Sequence, residues 1–339
     1  VTDLVLSPHY GASKIHWCLK HLPNVDQVQK ESRLACGLLS SYILFKLLEE
    51  QPFFIDPANA SQTLLWDCLS RDWSTELFSL FDIPIDVLPA YVNSQYGYGH
   101  MQFDSCSIPV SVTTGDQSAA LYAFGQLDPK TIYINVNTGA SLQRATGSEA
   151  IASERLLYSV IWQSEKDLTY VMEETVNGAG SALQLISNEL GISKQDTYAE
   201  LKRSFELKSN QSLFLNSVSG LWSPFWLANF PSRFTLEGSY QKKLLTVLES
   251  IIFLIQTNLD EISLYTTLPG KIIITGGLAV VDHLCHELAN ISGLVVEWPE
   301  LEGVTGCGLF YLLTQETKSC IYTTYRYSLP SDGRCSDTK

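Results

Sequence analysis

Apolar residues recur at helical spacing over residues 12–21 (Ile15, Cys18, Leu19, then Leu22) and over residues 33–50 (Leu34, Leu38, Ile43, Leu47). Two helices followed by a loop are predicted. Residues 56–63 are polar and turn-rich, and Asp72-Trp73-Ser74 offers an N-cap for a short helix over 76–81 that Pro84 and Pro89 close. The β-branched run over 108–112 leads through Thr114-Gly115-Asp116-Gln117 into a helix over 118–125, a strand, tight turn and helix. It is the one strand predicted before Leu127, too little sheet for a self-sufficient α/β domain.

After Asp128-Pro129 the texture changes. Four short runs over 132–136, 142–146, 158–162 and 168–172 read as a meander of consecutive strands. Helices are predicted over 174–190, 194–205 and 240–263, then strand 271–275, helix 280–290, strand 294–298 and helix 304–314. Strands first and alternation afterwards predict an α/β domain with a mixed sheet. The tail after Glu316 has no periodicity and is left unassigned. The chain therefore divides into residues 1–127, 128–316 and 317–339.

Composition narrows the function classes. With 22 Lys and Arg against 36 Asp and Glu, the net charge of −14 opposes phosphate-backbone binding, so no nucleic acid partner is expected. The eight cysteines contain no C-x-x-C pair and the six histidines no H-E-x-x-H, so reduced thiols and no protein metal site are expected. The sequence has neither a membrane-length apolar run nor the order of a signal peptide, which makes the cytoplasm the default compartment and a membrane partner unexpected. Rossmann, P-loop and nucleophile-elbow motifs are absent.

Three turns could carry chemistry, each with a plain structural alternative. Asp116, where a strand gives way to a helix, could take a proton from an attacking hydroxyl or could be a helix N-cap. Asn137-Thr138-Gly139 could meet a phosphate or simply turn a hairpin. Gly276-Gly277, after an apolar run, could admit a flat ligand at the carboxyl end of a strand or make an ordinary turn. The aromatic loop over 219–226 could line a sugar site or cap the core.

In order and spacing these segments resemble the FGGY family of carbohydrate kinases, in its glycerol kinase- and xylulokinase-like branch. The resemblance runs from about Ser7 to Leu313. It rests on Ser7-Pro8-His9-Tyr10-Gly11-Ala12-Ser13-Lys14-Ile15, Asn59-Ala60-Ser61-Gln62-Thr63-Leu64-Leu65, Asp72-Trp73-Ser74 and Gly115-Asp116-Gln117-Ser118-Ala119-Ala120-Leu121. Further on it rests on Asn137-Thr138-Gly139, Asn177-Gly178-Ala179-Gly180-Ser181-Ala182-Leu183-Gln184, Ser219-Gly220-Leu221, Thr275-Gly276-Gly277 and Val304-Thr305-Gly306. The resemblance implies an actin-like, ribonuclease H-like two-domain α/β kinase fold with the first domain incomplete: the sugar-binding domain ends near Leu127 and a nucleotide-binding domain follows. It implies ATP-dependent phosphorylation of a sugar or polyol, with ATP and Mg²⁺, and leaves a homodimer open.

By motif match Asp116 resembles the family's catalytic base. Gln117, His9 and Tyr10 resemble substrate contacts, and Thr138, Gly139, Gly180, Gln184, Gly276 and Gly277 nucleotide contacts. The pattern departs at His9, where a substrate-contacting tyrosine is usual, and at Asn137, where glycine is usual and Asn is expected to serve because it tolerates positive φ. It departs again in the loop Leu227-Ala228-Asn229-Phe230-Pro231 and at Val281, which together suggest weakened nucleotide affinity. The family's opening D-x-G-T-T phosphate loop is unmatched, so the expectation is a chain truncated at its N-terminus. The alternative function is a non-catalytic relative that binds nucleotide or protein.

Overall fold

Pro23 lacks an N–H and has a fixed φ, which suits the first turn of a helix. Accordingly α1 (Gly11–His21) ends at Leu22 and α2 (Pro23–Lys30) begins at once. The periodicity of apolar residues did not reveal α2 because none of its residues is buried. The predicted helix over 33–50 is only α3 (Leu39–Leu47). Ahead of it the chain is held by the Cys36 N–H, which donates to the Val87 carbonyl at 2.6 Å. The computed structural model describes residues 10–151, 153, 155–205, 212–316 and 323–328, with Leu4 and Leu6.

Compactness divides the chain into two units. The first contains Val1–Leu127, Ala145–Val171 and Glu302–Ser319; the second contains Asp128–Arg144, Met172–Leu301 and Cys320–Lys339. In the first, β1 (Phe54–Ile55) is followed by α4 (Pro57–Ala60), whose N-cap Asp56 accepts the Asn59 N–H. The antiparallel pair β2 (Trp66–Asp67) and β3 (Asp72–Trp73) precedes α5 (Thr75–Phe81), capped by Ser74 as predicted. The next strand, β4 (Ala90–Tyr91), runs parallel to β1. A longer hairpin of β5 (Gln95–Phe103) and β6 (Cys106–Val112) pairs His100 with Pro109 and leads to α6 (Asp116–Leu121). Only the second strand of that hairpin was predicted. In β5 the glycines at 97 and 99 and an almost wholly exposed surface remove the alternation that marks a strand. Tyr10, Ala12, Leu64, Leu65, Phe78, Ile83 and Val87 form the core beneath α1 and α5.

The four predicted strands are present as β7 (Thr131–Val136), β8 (Ala140–Gly147), β9 (Leu157–Gln163) and β10 (Leu168–Val176). They are not a simple meander, because β10 lies between β8 and β9. In the first unit, β9 is tied to the preceding chain by polar contacts. Thr114 Oγ1 donates to the Ile161 carbonyl at 2.9 Å, Tyr91 Oη to Gln163 Oε1 at 2.7 Å, and Gln163 Nε2 to Asn93 Oδ1 at 2.9 Å.

The second unit continues with α7 (Gly180–Glu189), α8 (Lys194–Ser204), the pair β11 (Phe214–Leu215) and β12 (Arg233–Phe234), and the long α9 (Tyr240–Tyr265). There follow β13 (Lys271–Thr275), α10 (Asp282–Ser292) and β14 (Val295–Pro299). The helix predicted from 174 starts only at Gly180, because the ladder of β10 extends through Val176. Sheet order in this unit is β14-β13-β7-β8-β10, with β13 parallel to both β14 and β7, and β7 antiparallel to β8. Every residue of β7 except Asn135 is buried, as befits a central strand.

After α11 (Val304–Thr314), which belongs to the first unit, the unassigned tail forms one more strand, β15 (Thr324–Tyr327). It pairs antiparallel with β14, with Trp298 stacked on Tyr325 at 4.7 Å and Glu297 between Lys271 (2.8 Å) and Arg326 (3.1 Å). Among the described residues no helix is long and apolar enough to cross a membrane.

Two buried features of the fold give measurable consequences. A Cβ added to Gly308 would lie 1.7 Å from the Ala119 carbonyl oxygen, so α11 meets α6 at backbone contact. Gly308→Ala is expected to cost about 2–3 kcal/mol in denaturant unfolding despite alanine's better helix propensity, because the helices must separate. Glu174 on β10 is fully buried and its carboxyl oxygens have no hydrogen-bond partner among the described residues. Burial, with the nearby Glu261 carboxylate, pushes its pKa up to about 9. A raised folded pKa means that the ionisation penalty is absent in acid, and stability is lost as pH rises from the ordinary glutamate range towards 9, by up to about 1.4 kcal/mol per pH unit. Glu174→Gln should thus gain stability over the wild type progressively between pH 5 and pH 9, read as a widening gap in thermal midpoints.

Candidate functional site

The Asp116 turn of the first unit is built by a strand-end anchor and a small-residue helix contact. Thr114 is fixed to β9 through its hydroxyl, and Gly115, in extended backbone, is the N-cap of α6. Asp116 is therefore the first residue of the helix and not its cap. Its carboxylate is exposed, Oδ1 accepts the Gln117 N–H at 2.8 Å, and Gln117 is exposed beside it. From behind, Thr305 Oγ1 of α11 donates to the Asp116 carbonyl at 3.4 Å, and Tyr311 stacks on Tyr122 at 6.1 Å. Thr305-Gly306 is legible as part of a motif, whereas Gly308 is not. The run of small residues, Gly306-Cys307-Gly308, was the signal for a close helix crossing.

The second unit gathers the glycines. The β7–β8 turn carries Asn137, Thr138 and Gly139, and it is a hairpin turn in which the Asn137 N–H donates to the Gly139 carbonyl at 2.8 Å. The start of α7 docks onto it: the Gly180 N–H donates to the Asn137 carbonyl at 2.9 Å, and the N–H groups of Ala179 and Ser181 to the Thr138 carbonyl at 3.2 and 2.9 Å. No side chain fits at this contact, since a Cβ on Gly180 would lie 2.5 Å from the Asn137 oxygen and one on Gly139 2.9 Å from the Val176 oxygen. Gly276 has φ +98 and an added Cβ would sit 2.5 Å from the Val136 oxygen, so the β13 turn lies against the end of β7. Gly277 is different: it is exposed, and an added Cβ would meet only Asn137 Oδ1 at 3.5 Å. Thr138, Gly139, Gly180, Gly276 and Gly277 thus gather where β7 and β13 end.

Other predicted residues are placed elsewhere or differently. Gln184 lies one turn along α7 from Gly180, with Nε2 donating to Asn188 Oδ1 at 2.8 Å. Tyr10 has its ring in the core beneath α1, and His9 lies outside the described residues. Val281 is buried at the start of α10. The aromatic loop divides its roles: Trp222 Nε1 donates to the Ser219 carbonyl and its ring meets Trp226 edge-on, whereas Phe225, Leu227 and Phe230 are exposed. Asn137 does not have positive φ, so tolerance of that conformation is not why asparagine serves there.

Two family profiles account for most of the chain. Residues 1–123 match the N-terminal domain, and residues 132–312 the C-terminal domain, of the FGGY family of carbohydrate kinases. The chain belongs to the FGGY family. Among curated FGGY relatives, the glycerol kinases of Mycoplasma genitalium and Shewanella amazonensis are 30% and 31% identical over 331 and 322 residues. Each alignment covers 92% of this chain and 64% of the relative, so the chain spans less than two thirds of the length of these two relatives. Solved FGGY structures share the fold. Plasmodium falciparum glycerol kinase with ADP superposes with TM-score 0.81 at 20% identity over 91% of this chain and 63% of that one. Xylulose kinase from Rhodospirillum rubrum gives 0.81 at 16% identity over 98% and 70%. The described fold is thus that of the matching part of the FGGY carbohydrate kinases, as the motifs implied.

The two adjacent glycines of the FGGY chain should respond differently to one methyl group. Gly276→Ala meets both positive φ and a backbone oxygen, and is expected to cost about 2–4 kcal/mol. Gly277→Ala is expected to stay within about 1 kcal/mol of wild type. Urea titrations of the two variants check the contrast.

Proposed function

We propose that the protein carrying this chain is an ATP-dependent carbohydrate kinase that phosphorylates a hydroxyl of a sugar or polyol. The observation that supports this reading best is the exposed Asp116 carboxylate at the first residue of α6, backed by α11 and flanked by exposed Gln117, within a chain of the FGGY family. In this mechanism Asp116 accepts the proton of the acceptor hydroxyl as its oxygen attacks the γ-phosphorus of ATP; the bond to the β–γ bridging oxygen breaks and ADP leaves. Gln117 orients the acceptor. The buried ring of Tyr10 favours a supporting role there over direct contact. Residues 1–127 would bind the acceptor and residues 128–316 the nucleotide.

On the nucleotide side, Thr138 and Gly139 would face the phosphates, Gly180 and Gln184 would contact the nucleotide along α7, and Gly276 and Gly277 would lie at the adenosine. The room above Gly277 suits a flat ligand against the backbone. Mg²⁺ would enter with the phosphates, because it keeps several waters and uses one or two carboxylates instead of a protein cage. Among the described residues no cluster of three or more ligating side chains stands ready for it.

Replacing Asp116 by Asn keeps the shape of the turn and removes the base. Phosphorylation of a polyol and sugar panel with ATP should slow by about 10²–10⁴-fold with little change in nucleotide affinity. Wild-type rates in that variant would discard Asp116 as the base.

A further inference from the structure

Asn137 stands at the head of a chain of side-chain hydrogen bonds that joins the β7–β8 turn to the β13 turn. The Gly277 N–H donates to Asn137 Oδ1 at 2.7 Å; Asn137 Nδ2 donates to Asn135 Oδ1 at 2.6 Å; Asn135 Nδ2 donates to Thr275 Oγ1 at 3.3 Å. The Thr275 hydroxyl closes the chain on the Ile134 carbonyl at 3.4 Å. The polarity of the chain follows from its first member. A backbone N–H can only donate, so Asn137 must turn its oxygen to Gly277 and its amide nitrogen to Asn135, which orients Asn135 in turn. Asn135 is the only residue of β7 that is not buried, so the network lies on the open side of the strand.

Hydrogen bonds in contact with water add little net stability, because water competes for each partner. What such a chain does instead is restrict position. Apart from it the two turns are related through the end of the β7–β13 ladder, Asn135 to Thr275, and through the Val136 carbonyl, which lies against Gly276 and accepts the Leu278 N–H at 3.0 Å. With it, the exposed Gly277 backbone is held against the turn that carries Thr138 and Gly139.

We infer that Asn137 is a positioning residue that clamps the Gly277 backbone to the Thr138-Gly139 turn, so that the two halves of a nucleotide site, adenosine side and phosphate side, keep a fixed separation. This rests on the nucleotide-site reading given above. The clamp also makes an asymmetric demand on residue 137. Aspartate can still accept the Gly277 N–H, and Asn135 can rotate its amide to donate to the new carboxylate while accepting from the Thr275 hydroxyl. The clamp therefore survives Asn137→Asp, but a negative charge is added beside the phosphate turn.

The test uses the full chain with three variants, Asn137→Ala, Asn137→Gly and Asn137→Asp, and two independent readouts. Hydrogen exchange without ligand should show the Gly277 amide protected in wild type and Asn137→Asp, and exchanging about tenfold faster in the other two. Calorimetric titration should show adenosine and ATP both weakened by about tenfold in Asn137→Ala and Asn137→Gly. In Asn137→Asp, adenosine should bind within about twofold of wild type while ATP loses about tenfold or more. Thermal midpoints within about 3 °C of wild type separate this from a general loss of fold. Equal Gly277 exchange in all four proteins overturns the clamp. Intact protection differences with no adenosine or ATP binding by wild type overturn the nucleotide-site reading instead, and with it the ligand assigned to the clamp.

Discussion

The end of β7 is where the second unit is decided. Two chain segments, the β13 turn and the start of α7, reach the same short piece of backbone, Val136 to Thr138, and both do so at distances that exclude a side chain. Gly276 crosses the Val136 carbonyl and Gly180 crosses the Asn137 carbonyl. Because the amide groups at the head of α7 are satisfied by carbonyls of the turn, helix and sheet are registered by backbone chemistry and not by the choice of apolar side chains. Apolar packing around β7 supplies stability, but it would tolerate small shifts that these contacts do not.

In the first unit the same strategy appears in a helix pair. Gly308 lets α11 reach the backbone of α6, and the Asp116 carboxylate is presented from a helix too short to hold its own position. The anchors are the Thr114 hydroxyl on β9 and the Thr305 hydroxyl on the Asp116 carbonyl. They fix the exposed first turn of a six-residue helix whose other face is buried. Residues distant in sequence thus specify where one exposed oxygen pair points.

This explains what the sequence disclosed and what it concealed. The buried stripe of α9 was legible as periodicity, and β7 and β13, buried along nearly their whole length, as continuous apolar runs. Solvent-facing elements, α2 and β5, left no such trace, and Pro23 together with the Gly97 and Gly99 pair was the residual hint. The site turns were legible as motifs, yet their physical roles were not. Asn137 reads as a hairpin residue, and only the fold brings Gly277, 140 positions later, onto its side chain. Gly308 and Gly276 likewise carry meaning only through what lies opposite them. The tail strand β15 escaped notice because four residues are too few to show alternation.

That strand has a consequence for how the molecule meets its own kind. An open sheet ends in a row of unpaired amides and carbonyls that can recruit a foreign strand. Here β15 pairs alongside β14, with Arg326 exposed and bound to Glu297, Tyr325 stacked on Trp298, and Tyr327 buried against His286. A short, charged edge is a poor template for intermolecular pairing. Four residues of the tail thereby occupy the backbone groups that β14 would otherwise offer to a foreign strand.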